Sequence, residues 1–305
     1  MLRDARDYQI VFLTLFLVLG LATRDWTLEP AAVGVAIITS LCAQGIFTCW
    51  LHQTPVVESD SESLQLPAAI TQPVAVEGPY RFKRVVTWLQ QGQFNWRSPL
   101  ITALGLSLLL RVDHLPTMAL AATAAIASKF FLKANDKHFC NPANFGIIVA
   151  LTLTHDAWVS PGQWGEEIWY ALIFLGAGGM VLKRVGRWDT TAAFLSSYAL
   201  LEALRNLYLG WTWDVWLHRL MSGSLLLFAL FMVTDPRSIP NARPARLIWA
   251  LSIAGLTFIL RNYFYLPTAV FWALFIMSPL TIALDKLWKS DRFAWKVLAR
   301  TSVAG

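Results

Sequence analysis

Charge is scarce in this chain. Of its 305 residues only 14% are Asp, Glu, Lys or Arg and 56% are hydrophobic; soluble domains carry roughly 25% charged residues, so an ordinary soluble globular domain is excluded. Cysteine is scarce too, at Cys42, Cys49 and Cys140. No Cys-x-x-Cys occurs, which excludes a structural zinc or an iron–sulfur cluster held in the usual way by this chain alone. A Walker motif, a Gly-x-Ser-x-Gly turn and a plausible catalytic triad are all missing. His138 and Cys140 are a lone pair of ligand-type residues and read as ordinary loop residues. Cys42 and Cys49 share one helix face about two turns apart, too far for a disulfide, and are expected as small buried apolar residues.

What is present is a series of long apolar runs, and a membrane span needs ~20 such residues. Eight lie at about 9–23, 31–50, 117–133, 168–182, 190–209, 216–233, 246–262 and 266–284. Two shorter ones, about 99–111 and 144–155, complete a set of ten. The short pair rises only ~20 Å each against a ~30 Å hydrocarbon core, so each is either a broken half-helix or a span that borrows flanking residues. Arg3, Asp4, Arg6 and Asp7 flank the first run, and no small-residue cleavage site follows it. It reads as an uncleaved span.

Basic residues fix an orientation. With the N-terminus in the cytoplasm, the outer ends hold only Arg24, Arg111, Arg205, Arg219 and Arg261 of the 25 Lys and Arg, and the inner segments hold the rest. Both termini are then cytoplasmic, in the inner or plasma membrane, and the net charge of +6 reflects contact with membrane lipids. Nucleic acid is not an expected partner, because the basic residues are spread over separate segments. Trp50, Trp158, Trp188, Trp211, Trp213 and Trp288 fall near helix ends, where indole rings favour the headgroup layer. The chain is one polytopic domain, 1–305, with one long loop at 51–97. Residues 55–78 are acidic and rich in Ser and Pro and predict a mobile stretch. Residues 80–97 interleave basic and aromatic side chains and suit the membrane surface.

Polar residues at membrane depth are costly and tend to mark function. Glu202 and Arg205 lie three apart on one helix face, where they can pair. His218 and Arg219 open the next run, followed by Ser222-Gly223-Ser224. Thr234-Asp235-Pro236-Arg237 closes it, and Arg261-Asn262 ends the ninth. Asn141-Pro142 opens a short run, and Glu166 lies in an outer turn. Snorkelling to the interface is the plainer reading of those near helix ends.

Several of these pieces, in one order, resemble the RnfD/NqrB membrane subunits of the Rnf and sodium-translocating NADH:quinone oxidoreductase complexes. His218 to Pro240 resembles that family's Ser-Gly, small-and-aromatic helix, then Met-x-Thr-Asp-Pro-x-x-x-Pro. Gly162-Gln-Trp-Gly-Glu166 resembles its Gly-x-x-Gly-Glu turn. Trp188 to Leu195, Arg261 to Met277 with Pro279 and Asp285, and Asn141-Pro-Ala143 resemble further pieces. The likeness covers about 137–286. It implies an all-α membrane fold of about ten helices, urea-transporter-like with two pseudo-symmetric halves, working beside partner subunits of an Rnf-type complex. Members with covalent FMN carry it on a Ser/Thr-Gly-Ala-Thr motif, and this chain has no such motif; Thr190 and Thr191 lie on the wrong side of the turn to replace it. A non-covalent flavin or quinone pocket, or none, is left.

The leading reading is an RnfD-like subunit of an ion-translocating electron transport complex. Ser222, Gly223, Thr234 and Asp235 would shape a pocket or cation path, with Asn141 and Glu202–Arg205 as further polar groups. Glu166 would orient the outer turn, and Arg261 would pair with an acidic group. The alternatives are a solute channel or transporter of the same fold, and a membrane accessory protein of a biosynthetic pathway.

Overall fold

The computed structural model describes residues 4–23, 29–53, 95–160 and 168–293. The expected mobile stretch 55–78, most of the interfacial segment 80–97, and Glu166 with its turn lie outside the described residues. The described chain is helical throughout apart from two small strand pairs. The helices are α1 (Ala5–Thr23), α2 (Pro30–Gln53), α3 (Arg97–Leu109), α4 (Leu115–Phe131), α5 (Pro142–Leu153), α6 (Ile168–Val185), α7 (Trp188–Leu209), α8 (Trp213–Leu220), α9 (Gly223–Leu227), α10 (Arg243–Asn262), α11 (Ala269–Met277) and α12 (Leu280–Leu287). Two of them, Pro30–Trp50 within α2 and Arg243–Asn262, are long and apolar enough to cross a membrane alone. The α11–α12 pair, bent by 46°, makes up to three.

The short runs are indeed short helices. α3 ends in a strand, Leu110–Val112, which pairs antiparallel with Ala157–Val159 beyond α5. These strands close both short helices at one end. The sequence run 216–233 is not one helix. It breaks at Met221–Ser222, and α9 passes directly into a π turn over Phe228–Met232. A π turn frees a backbone carbonyl from the helical ladder. Here Val233 N–H donates to the Phe228 carbonyl, while the Ala229 and Met232 carbonyls accept from the Thr191 hydroxyl at 2.7 Å and from Asn141 Nδ2 at 3.2 Å.

Apolar burial does not drive helix association where lipid is as apolar as leucine, so close contact must do it. α4 and α5 meet through Ala121, Ala125 and Gly146, and a Cβ on Gly146 would press into the Ala121 carbonyl. Aromatic rings join the other half: Phe194 to Phe228 at 5.2 Å, Phe228 to Phe271 at 5.9 Å and Phe16 to Phe231 at 6.3 Å between centroids. Outward faces stay apolar, with Ile38, Ile46, Leu153, Leu200 and Leu207 all exposed. Trp50, Trp158, Trp188, Trp211 and Trp213 are exposed as well, as interfacial rings should be.

Cys42 corrects an expectation. It is exposed and Cys49 half-buried, whereas only Cys140 is buried. α2 is apolar on every side, so its sequence carries no stripe to say which face packs inward.

Candidate functional site: a polar cavity at broken helices

α7 and α10 run parallel, and a polar cluster ties them at each end. At one end Arg246 Nη2 donates to Asp189 Oδ2 at 2.6 Å, with both side chains buried. At the other, Asn262 Nδ2 donates to Glu202 Oε1 at 2.8 Å and Arg219 Nη1 to Glu202 Oε2 at 2.9 Å. Arg219 also reaches Asn262 Oδ1 at 2.9 Å. Glu202 therefore does not pair with Arg205. Its side chain is 1% exposed and faces α8 and α10, where the helix break brings Arg219 to it. Arg205 lies over the Trp211 ring at 4.8 Å instead. Arg261 Nη1 donates to the Tyr198 hydroxyl at 3.0 Å.

A cavity lies at the Asp189–Arg246 end. Residues 133–138 form a tight hairpin whose turn residues, Asn135 and Asp136, have φ of 50° and 60°. Asn and Asp tolerate that left-handed backbone better than other side-chain-bearing residues. The hairpin is anchored by Lys137, whose Nζ donates to Asp285 Oδ2 at 2.6 Å and to the Ile239 carbonyl at 2.6 Å. Burial pulls the Lys137 ammonium below the ordinary lysine range, and Asp285 offsets only part of that. The next residue, His138, points its Nε2 at Asp235 Oδ2 across 3.7 Å. Burial works to raise the Asp235 carboxyl, but His138 and the Arg237 N–H outweigh it and hold the group below the usual carboxylate range.

Asn141 opens the opposite wall. Its Oδ1 accepts the Asn144 N–H at 3.1 Å, a helix N-cap, and Pro142 follows at the first helical position. Its Nδ2 meets the end of the π turn, so the start of α5 faces the end of the broken helix. Thr234 follows the π turn, with its hydroxyl donating to the Leu230 carbonyl. Together with Lys129, Ser98 and Thr102 these residues line a cavity of about 110 Å³.

The structure thus brings Asn141, Thr234 and Asp235 together. Ser222 and Gly223 sit at the far end of the same broken helix and are absent from the cavity wall. Ser222 exchanges a hydrogen bond with Ser224 at 2.9 Å. Lys129, Ser98 and Thr102 do not stand out as site residues in the sequence, and His138, a ligand-type residue there, reads as an ordinary loop residue. The signals for the first three are Ser98 and Thr102 four apart on a helix face, and a lysine inside an apolar run.

Flavin and quinone do not fit this cavity. Ligand pockets for such groups begin at roughly 300 Å³, whereas a space of about 110 Å³ suits a few waters or a small ion. Thr191, the weak stand-in for a flavin-bearing threonine, spends its hydroxyl on the π turn. No group of three or more His, Cys, Asp or Glu able to hold a metal occurs among the described residues.

Comparison with known proteins gives a consistent result. The model of the NQR2, RnfD, RnfE family matches residues 26–294. Several curated relatives are D subunits of ion-translocating oxidoreductase complexes. The one from Stutzerimonas stutzeri is 32% identical over 145 residues, which covers 48% of this chain and 41% of that protein. The one from Vibrio atlanticus (strain LGP32) is 33% identical over 132 residues, covering 42% and 36%. That of Halorhodospira halophila (strain DSM 244 / SL1) is 29% identical over 115 residues, covering 37% and 32%. The matched stretch thus spans about two fifths or less of these relatives' lengths.

Proposed function

The chain belongs to the NQR2, RnfD, RnfE family, and from that premise we propose that it is an RnfD-like membrane subunit of an ion-translocating electron transport complex. In this reading its ten apolar runs span the inner or plasma membrane in a urea-transporter-like arrangement. The Asp235 end faces the cytoplasm, as do both termini, and partner subunits of Rnf type bind alongside. The observation that carries the proposal is the small cavity where the start of α5 meets the end of the π turn, with Asp235 on its wall. Broken helices around a polar space are how membrane proteins expose backbone and charge to a passing ion.

No side chain here cycles electrons at biological potentials, so electrons need a flavin or quinone. The described cavity does not take one. The part assigned to these residues is therefore the ion path: Asp235 supplies the charge, His138 and the Arg237 N–H orient it, and Asn141 holds the two half-helices in register.

Replacing Asp235 with Asn in the assembled complex tests this. Ion translocation per electron should fall by roughly tenfold or more while electron transfer through the complex persists. Unchanged translocation would overturn the assignment.

A further inference from the structure

Lys129 lies in the last turn of α4, where a lysine ordinarily extends toward the headgroups. Instead its side chain turns into the bundle against α3. All three ammonium hydrogens have acceptors: Thr102 Oγ1 at 2.9 Å, Ser98 Oγ at 3.1 Å and the Ser98 carbonyl at 3.3 Å. Every one of these oxygens is neutral, and no ion pair among the described residues includes Lys129. The Thr102 hydroxyl donates its own proton to the Ser98 carbonyl at 3.0 Å, which leaves its lone pairs turned to the ammonium. A unit positive charge among neutral hydroxyl and carbonyl oxygens is the coordination chemistry of a hard cation.

We propose that Ser98 and Thr102 form a monovalent-cation site that Lys129 fills with its own ammonium, so that the cation this cavity exchanges is a proton and not a metal ion. The exchange balances simply. One hydrogen bond to Ser98 or Thr102 gives way to a cavity water, the N–H bond breaks, the water becomes hydronium, and the neutral amine left behind is reprotonated by a hydronium ion in the same cavity. The charged groups facing Lys129 are Asp235 and Arg237 beyond the π turn, with His138 on the hairpin and Arg6 on α1 also on the cavity wall. α5 brings no ionisable residue. Asp235 and Lys129 thus face one space with opposite charge, and no metal need enter to neutralise the carboxylate. That the exchanged proton is a transported one rests on the function proposed above, but the filled site does not.

The test is saturable binding of radioactive sodium ion to the purified full chain at neutral pH, by equilibrium dialysis. Wild type should bind none. Lys129→Ala should gain saturable sodium binding that wild type lacks, and adding Thr102→Val should abolish it. Lys129→Gln serves the same purpose if the alanine variant does not fold. Three results overturn the proposal: no gain in a monodisperse Lys129 variant, a gain that survives Thr102→Val, or saturable sodium binding by wild type. No electron donor or partner subunit enters this assay. Its failure therefore leaves the complex-subunit reading standing, and failure of the Asp235→Asn test leaves this site standing.

Discussion

Glu202 and Lys129 each carry a charge into an apolar bundle, and their surroundings differ in kind. Glu202 has a guanidinium on one oxygen, an amide on the other, and almost no exposure. Lys129 has three neutral oxygens and an open space beside it. The first arrangement gives both carboxylate oxygens a donor and joins α7, α8 and α10. The second satisfies hydrogen bonds without neutralising charge and keeps solvent-sized volume within reach. A buried charge that is fully paired holds helices together, and one that is solvated by neutral oxygens beside a cavity is free to exchange its proton.

The comparison breaks most readily at the paired end. Arg219→Leu leaves Glu202 buried without its guanidinium partner, and removing one partner of a buried pair costs about 3–5 kcal/mol. Thermal unfolding in detergent should show that loss, and Glu202→Leu with Arg219→Leu should recover most of it. A loss below about 1 kcal/mol would mean that Glu202 is not the structural tie described. A smaller effect is expected at the π turn. Thr191→Val removes the donor to the Ala229 carbonyl and should cost about 1–2 kcal/mol by the same measurement. No change would show that the π turn needs no help from α7.

Much of the fold is legible from apolar runs alone. The run 190–209 becomes Trp188–Leu209, and 246–262 becomes Arg243–Asn262. The break in 216–233 is not legible, because Met221-Ser222-Gly223 differs little from residues that helices tolerate, and a π turn has no composition of its own. Asn141, Thr234 and Asp235 are readable as candidate residues because polar groups at Asn-Pro and Asp-Pro breaks stand out against lipid, and the structure places them on one cavity wall. Lys129 is not, since a lysine in the last turn of a helix already has a sufficient local reason to be there. Its significance comes from α3, the preceding helix, whose Ser98 and Thr102 lie 31 and 27 residues away in the chain. The misassigned Glu202–Arg205 pair has the same origin: spacing reveals the neighbour on the same helix, and Arg219 enters only through a helix break.

The smallest expected effect is a pH dependence that sharpens the comparison at Asp235. Its folded carboxyl sits below the ordinary value of about 3.9 that it has in the unfolded chain. A group lowered in this way contributes stability that is fully present above the unfolded value and is lost as pH falls through the folded one. Wild type should therefore hold its thermal stability from neutral pH down to roughly pH 5, then lose part of it on the acid side. Asp235→Asn should flatten that acid limb, and the difference should be modest because Asp235 keeps 21% side-chain exposure and water screens it. Glu202→Gln acts at the other cluster and should lower stability at neutral pH by more than Asp235→Asn does, since it removes the charge that Arg219 pairs with. If the two variants show the same profile, the distinction between a paired charge that ties helices and a charge that faces a cavity fails.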